Sequence, residues 1–198
     1  MLNFAVVAGS SRVKSQSGKI ARYLRQRLID LRHTNEAQSN VIDLGENPLP
    51  LWPAEHSGPW NQYAEQLNAA DAVIIIAPEW HGMASPAVKN FFLYASKAEL
   101  AHKPGLLVGV SSGVGGAYPI SELRSSGYKN CRLCYLPEHL IVRHAEKVLN
   151  SLEAEGEDDS RLRARCDYAL DVLVKYAQAL KPVRDSIDMA TPAFANGM

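Results

Sequence analysis

The chain has 198 residues, 46% of them hydrophobic, and its 21 basic and 21 acidic side chains leave no formal net charge. That length suits one domain with a sizeable core, and the charge balance argues against a nucleic-acid partner, which needs a basic face. No apolar run approaches the ~20 residues of a membrane helix. No basic stretch followed by an apolar core marks a secretory signal, and three cysteines give no disulfide framework. The expectation is therefore a cytoplasmic protein without a membrane partner.

Residues 2–8 are almost wholly apolar, the pattern of a strand covered on both faces. Gly9-Ser10-Ser11-Arg12 breaks the run. Ile20, Tyr23, Leu24, Leu28 and Leu31 then mark one side of a helix. Residues 40–44 predict a second strand. Residues 45–60 contain Pro48, Pro50, Pro53 and Pro59 with Trp52 and Trp60; a connection this long in a compact domain is usually functional. Residues 61–70 predict a helix, 72–77 a third strand, and 86–97 a helix with proline in its first turn. Residues 106–110 predict a fourth strand, 118–126 a helix, and 131–136 a fifth strand, extendable by 140–142. Residues 153–159 read as acidic and solvated. A closing helix over 162–180 ends at Pro182. The expectation is one domain over 1–182 and a tail over 183–198.

Strands that alternate with helices predict a parallel sheet covered on both faces. Five strands suggest a flavodoxin-like three-layer α/β sandwich of order 2-1-3-4-5. Its ligand site lies at the switch between the first and third strands.

Three loops carry chemistry. In the first, backbone amides at a helix N-terminus favour an anion. Ser10, Ser15 and Ser17 add hydroxyls, Gln16 lies among them, and Arg12 adds a fork that matches phosphate. A blander reading makes Ser17 the N-cap of the helix. The loop is neither a Walker A sequence nor a G-x-G-x-x-G fingerprint, so a mononucleotide phosphate suits it. The second loop follows the third strand and places Glu79, Trp80, His81 and Gly82 in a row after Pro78; a plain turn would favour Asp, Ser, Asn and Gly. The third is the Ser/Gly stretch of residues 111–116, with Ser111, Ser112 and Gly113.

Gly9-Ser10-Ser11-Arg12 with Ser15, then Pro78-Glu79-Trp80-His81, then Ser85-Pro86-Ala87-Val88-Lys89-Asn90 resemble the NADPH-dependent FMN reductase family, with its G-S-x-R-x-x-S and P-E-Y-N loops and its P-x-x-L-K-N helix start. The similarity continues through Ser111-Ser112-Gly113, Gly115-Gly116 and Leu123-Arg124. It spans roughly residues 2–145 and, more weakly, extends to 180. The resemblance implies flavodoxin-like subunits, homodimeric or homotetrameric, that bind FMN and take NADPH or NADH as co-substrate. FMN phosphate would sit on Ser10, Arg12, Ser15 and Ser17. Residues 78–82 would pass along the flavin ring with the Gly82 N–H near N5, and 111–116 would approach its pyrimidine edge. Trp80 stands where the family has Tyr, His81 where it has Asn, and Val88 where Leu is commoner.

The implied activity is an NAD(P)H oxidoreductase that passes hydride through FMN to flavin, quinone or a similar small acceptor. The cofactor does the chemistry, so no catalytic acid or base is assigned and no metal is called for. The N-terminus of the 118–126 helix would stabilise reduced flavin if it faces the ring. A flavin-binding electron carrier or redox sensor with little turnover is the alternative. Gly109-Val110-Ser111-Ser112-Gly113 also matches the G-x-S-x-G elbow of serine hydrolases, with His139 or His144 downstream, although Val114-Gly115-Gly116 separates it from its helix. Cys131 and Cys134 read as core cysteines. Arg124 reads either as a contact to pyridine nucleotide or, more blandly, as a partner for a neighbouring carboxylate, and Trp52, His56 and Trp60 either roof the flavin or pin the long loop.

Overall fold

The computed structural model describes residues 1–56, 58–189 and 191. The elements in order are β1 (Phe4–Ala8), α1 (Gln16–Asp30), β2 (Ser39–Asp43), α2 (Trp60–Ala69), β3 (Ala72–Trp80), β4 (Met83–Ala84), α3 (Pro86–Tyr94), α4 (Lys97–Leu100), β5 (Pro104–Val110), α5 (Ala117–Ser125), β6 (Cys134–Val142) and α6 (Glu157–Ser186). Five strands pair in parallel in the order β2-β1-β3-β5-β6, which is the expected 2-1-3-4-5 arrangement. A sixth, β4, adds antiparallel to the end of β3, pairing Glu79 with Ala84 and Trp80 with Met83.

Every residue of β1 and β5 is buried, because helices cover both faces of the sheet. Alternate side chains feed two cores. Phe4, Val6, Ile74 and Ile76 pack with Leu24 and Leu28 of α1 and Leu170 and Leu173 of α6. Ala5, Val7, Val73 and Ile75 pack with Leu67 of α2, Phe91 of α3 and Leu123 of α5. Each buried aliphatic side chain contributes about 1.5–3 kcal/mol relative to exposure. A long hydrophobic strand such as 72–77 is stable only between two such layers.

The closing helix differs from expectation at both ends. Residues 153–159 are not simply solvated. Asp159 is 2% exposed and accepts hydrogen bonds from the Leu149 and Glu155 N–H groups at 2.9 and 3.0 Å and from Arg163 Nε at 3.0 Å. Burial works against its charge, but these donors win and lower its pKa. Pro182 lies inside α6 rather than ending it. An interior proline costs a helix about 3 kcal/mol. Here the turn around it is held by Lys181 and Arg184, whose side chains reach Oδ1 of buried Asp71 at 2.9 and 3.2 Å. Of the expected tail, 183–186 thus belong to α6, while residues 190 and 192–198 lie outside the described residues. The fifth parallel strand begins at Cys134 and runs unbroken to Val142, with an irregular register opposite Gly105 and Leu107. Cys131 precedes it.

The long 45–60 connection is pinned to α3. Asn90 Oδ1 accepts from the Trp52 N–H at 2.9 Å, and Asn90 Nδ2 and the Tyr94 hydroxyl both donate to the Pro50 carbonyl, at 2.9 and 3.0 Å. The Trp60 ring packs 5.4 Å from Tyr94 and 6.2 Å from Phe91. Trp60 thus packs as the pinning alternative has it, and Asn90, not part of that expectation, holds the same loop. Trp52 stays half exposed.

Candidate cofactor site

The chain leaves β1 toward β2 on one side and returns to β3 on the other. A cavity of about 450 Å³ opens over the carboxyl ends of the strands at this reversal. Ser10, Arg12, Ser15, Gln16 and Ser17 line one side of it. Pro78, Glu79, Trp80 and His81 line another, and Ser112 adds to the wall. Gly82, Ser111 and Gly113 are not part of the lining.

The first wall is fixed by close packing. A Cβ on Gly9 would lie 1.9 Å from Val88 Cγ2 and 2.5 Å from the Ile76 carbonyl, so only glycine lets β1 end against α3 and β3. The Ser85 hydroxyl, which caps α3, donates to the Gly9 carbonyl. Ser15, not Ser17, is the N-cap of α1, its Oγ accepting from the Gly18 N–H at 3.0 Å. Ser10 Oγ accepts from the Arg12 N–H at 3.1 Å. Both oxygens act as acceptors, which leaves both hydroxyl hydrogens free to donate. Ser17 is 1% exposed, and its hydroxyl has no protein partner; Gln16 Oε1 is likewise buried and unpaired. Among the described residues the Gln16 and Ser17 N–H groups have no protein acceptor. Buried polar groups are normally paired; the Ser17 hydroxyl and the two amides are unspent donors that suit an anion such as a phosphate, whereas Gln16 Oε1 is an acceptor and calls for a donor.

The second wall is strand rather than loop. Pro78, Glu79 and Trp80 finish β3, and the turn to β4 is His81-Gly82 with φ of 49° and 73°. Two successive left-handed residues are what a two-residue type I′ hairpin demands. His81 therefore occupies a backbone position that suits Asn and Gly, which gives its conformation a structural reason. The Arg12 guanidinium lies over the Trp80 ring, 4.6 Å from its centroid. Glu79 turns its carboxylate onto α5, where Oε2 accepts from the Gly116 N–H at 2.6 Å and the Tyr118 N–H at 3.3 Å. Two donors at the start of α5 are thus taken by a carboxylate, and Glu79 answers part of that helix end's positive charge.

The third loop is tied to β6. The Ser111 N–H donates to the Val142 carbonyl at 2.9 Å and Ser111 Oγ accepts from Gly113 at 3.2 Å. Among the described residues no histidine bonds to the Ser111 hydroxyl. Gly109 is explained by packing instead, since a Cβ there would lie 2.0 Å from the Gly116 carbonyl. The hydrolase elbow thereby loses its support.

Sequence reasoning missed Ala145 and Glu146, which close the cavity from the segment after β6. Lys19 fastens this strap. Its Nζ donates to the Ala145 and Val148 carbonyls at 2.6 and 2.8 Å and to Asn150 Oδ1 at 2.8 Å. No motif marks the strap; the signal was its place at the carboxyl end of the last strand. Arg124 also differs from expectation, donating to the Leu136 carbonyl at 2.7 Å rather than to a carboxylate. Lys89 pairs with Glu122 at 3.1 Å. Burial pushes the Cys131 and Cys134 thiols up, which disfavours a reactive thiolate.

A sequence model of the NADPH-dependent FMN reductase family matches residues 2–147. The chain belongs to that family. As a member it is an NAD(P)H-dependent oxidoreductase with FMN as its cofactor. It is 28% identical over 179 residues to the FMN-dependent NADPH-azoreductase of Staphylococcus aureus (strain USA300), which covers 86% of this chain and 93% of the relative. Its fold is similar to an oxidoreductase from Corynebacterium diphtheriae (TM-score 0.70, 15% identity, 90% of this chain and 98% of that one). It is also similar to FerB, a flavoenzyme NAD(P)H:(acceptor) oxidoreductase from Paracoccus denitrificans (TM-score 0.66, 21% identity, 91% and 99%). No helix among the described residues is long and apolar enough to cross a membrane.

Proposed function

We propose that this protein passes hydride from a nicotinamide nucleotide through FMN to a small oxidised acceptor: free flavin, a quinone, or an azo compound of the kind named for its S. aureus relative. The observation that carries the reading is the α1 N-terminus, where the Gln16 and Ser17 N–H groups have no protein acceptor among the described residues, beside a cavity that Ser10, Arg12, Ser15, Gln16 and Ser17 line. When bound, FMN supplies two-electron hydride acceptance and donation.

The chain's own residues bind and orient. Ser10, Ser15 and Ser17 donate hydroxyl hydrogens to the phosphate. Arg12 leaves the Trp80 face and adds a bidentate contact. Trp80 then offers an indole face as a stacking surface along the ring. The His81-Gly82 hairpin sets how far that face projects, and Ser112 and the 145–146 strap bound the opposite side. The family's homodimeric or homotetrameric assembly and a cytoplasmic location are part of the same proposal.

The test is a spectrum. Protein loaded with FMN and freed of excess ligand should keep a flavin band near ~450 nm that anaerobic NADPH bleaches. Arg12→Ala should weaken FMN binding about tenfold or more, as expected for the loss of a charge-assisted contact. A band that neither NADPH nor NADH bleaches would favour an electron carrier. No retained flavin would overturn the reading.

A further inference from the structure

A second cavity, of about 720 Å³, lies behind the strap that closes the first one. Their linings have no residue in common, but both draw on the 143–148 segment. Ala145 and Glu146 face the first cavity, while Arg143, His144 and Lys147 line the second together with the start of α6. The charges around the second cavity are unequally spent. Asp159 is occupied by Leu149, Glu155 and Arg163, and Glu155 by the Ser151 hydroxyl. Asp158 faces Arg161 at 3.9 Å, and Arg165 pairs with Glu138. The strap is different. Lys147 is exposed, and among the described residues its ammonium and the His144 ring have no protein partner, while Arg143 uses only Nε, donating to the Val114 carbonyl at 2.7 Å. The terminal guanidinium nitrogens of Arg143 and the Lys147 ammonium are therefore the free groups, and both are donors of positive charge.

We infer that this strap is the NADPH-selecting element, with Arg143 and Lys147 receiving the 2′-phosphate of the nucleotide while its nicotinamide end enters the neighbouring flavin cavity. The inference rests on the flavin reading above. A nucleotide that enters the first cavity and crosses the strap brings its adenosine half to the second, whose volume is in the range of small-ligand pockets. A dianionic phosphomonoester is the ligand chemistry that a lysine and an arginine fork four residues apart would take. Lys147 is the sharper probe, because its ammonium makes no contact whose loss would disturb the fold.

The experiment compares wild type with Lys147→Ala and Lys147→Glu. On FMN-loaded protein, the ratio of kcat/KM for NADPH to that for NADH should fall about tenfold in K147A and further in K147E. Calorimetric titration should show 2′,5′-ADP binding about tenfold or more tighter than 5′-AMP to wild type, with the advantage lost in K147E. An unchanged ratio in K147E, or equal binding of the two adenine nucleotides, would overturn the assignment. Inorganic phosphate binding as tightly as 2′,5′-ADP would also overturn it, by showing an anion site without a nucleotide. Wild type that retains no FMN would sink the flavin reading alone, and the 2′,5′-ADP titration of cofactor-free protein would still decide this one.

Discussion

Glu79 Oε2 sits 2.6 Å from the Gly116 amide nitrogen and, with a longer contact to the Tyr118 N–H, joins the end of β3 to the start of α5. Gly115 is crowded by the same carboxylate, since a Cβ there would lie 2.6 Å from Glu79 Oε1. The family's Glu in this loop therefore acts here on protein, as an N-terminal cap supplied from a neighbouring strand.

Removing a cap of this kind costs about 0.5–2 kcal/mol. Glu79→Ala should lower stability by about 1–2 kcal/mol, and Tm by about 2–4 °C per kcal/mol for a chain of this size. Glu79→Gln keeps an acceptor without the charge and should recover part of the loss. Urea unfolding of the three proteins checks the order.

Ser17 gives a prediction of opposite signs. Its buried hydroxyl has no protein partner among the described residues, and an unpaired buried hydroxyl costs about 1–3 kcal/mol. Ser17→Ala should therefore stabilise the cofactor-free protein by about 1 kcal/mol, helped by the better helix propensity of alanine. The same change should weaken FMN about tenfold. Thermal melts and a flavin-fluorescence titration on one preparation read both effects, and a stability loss in the cofactor-free protein would contradict the assignment.

His81 holds φ at 49° beside Gly82 at 73°. Left-handed backbone costs most residues about 1–2 kcal/mol, and Asn tolerates it better. His81→Asn should raise the urea midpoint by the equivalent of about 0.5–1 kcal/mol with the m-value unchanged.

Lys103 predicts a pH effect. It is 4% exposed, and its Nζ donates to the Leu67 and Asn68 carbonyls at the end of α2 (2.6 and 3.1 Å). Burial, aided by the nearby Arg184 charge, pushes its pKa from 10.5 down to about 8. Below pH 8 folded and unfolded chains both carry the proton, and the penalty is complete. Between about 8 and 10.5 the unfolded chain binds more protons, so stability from this group rises with pH, by about 3 kcal/mol in all. The buried cysteines, whose pKa values are raised, act in the opposite direction over the same range. The clean readout is therefore the difference between wild type and Lys103→Met at pH 7 and pH 9.5. That difference should move in favour of wild type as pH rises.

The sheet was legible because its signal is local. Residues 2–8 and 72–77 are continuous apolar runs, and only a two-sided layer can bury them. The phosphate loop was legible because serine, arginine and glycine crowd into a few residues before a helix. What escaped depends on distant partners. Pro182 reads as a helix end until Asp71, far away in sequence, is seen to bind both Lys181 and Arg184. Asp159 reads as solvated until Leu149 folds over it. Glu79 lines the cavity, but nothing in the sequence says that Gly116 will also be its hydrogen-bond partner. The 145–146 strap has no motif at all; it enters the site because Lys19 reaches across from α1.

The walls of the cavity are joined by bonds that need no ligand: Ser85 to Gly9, Glu79 to Gly116, and Lys19 to Ala145. Each links segments that are distant along the chain, so the pocket takes its shape when the domain folds. Cofactor loading then involves little ordering of backbone, and the entropy lost on association is mainly that of the incoming molecule. An apoprotein made in this way is expected to remain a competent receptor after its cofactor is stripped, so that it is recharged without refolding.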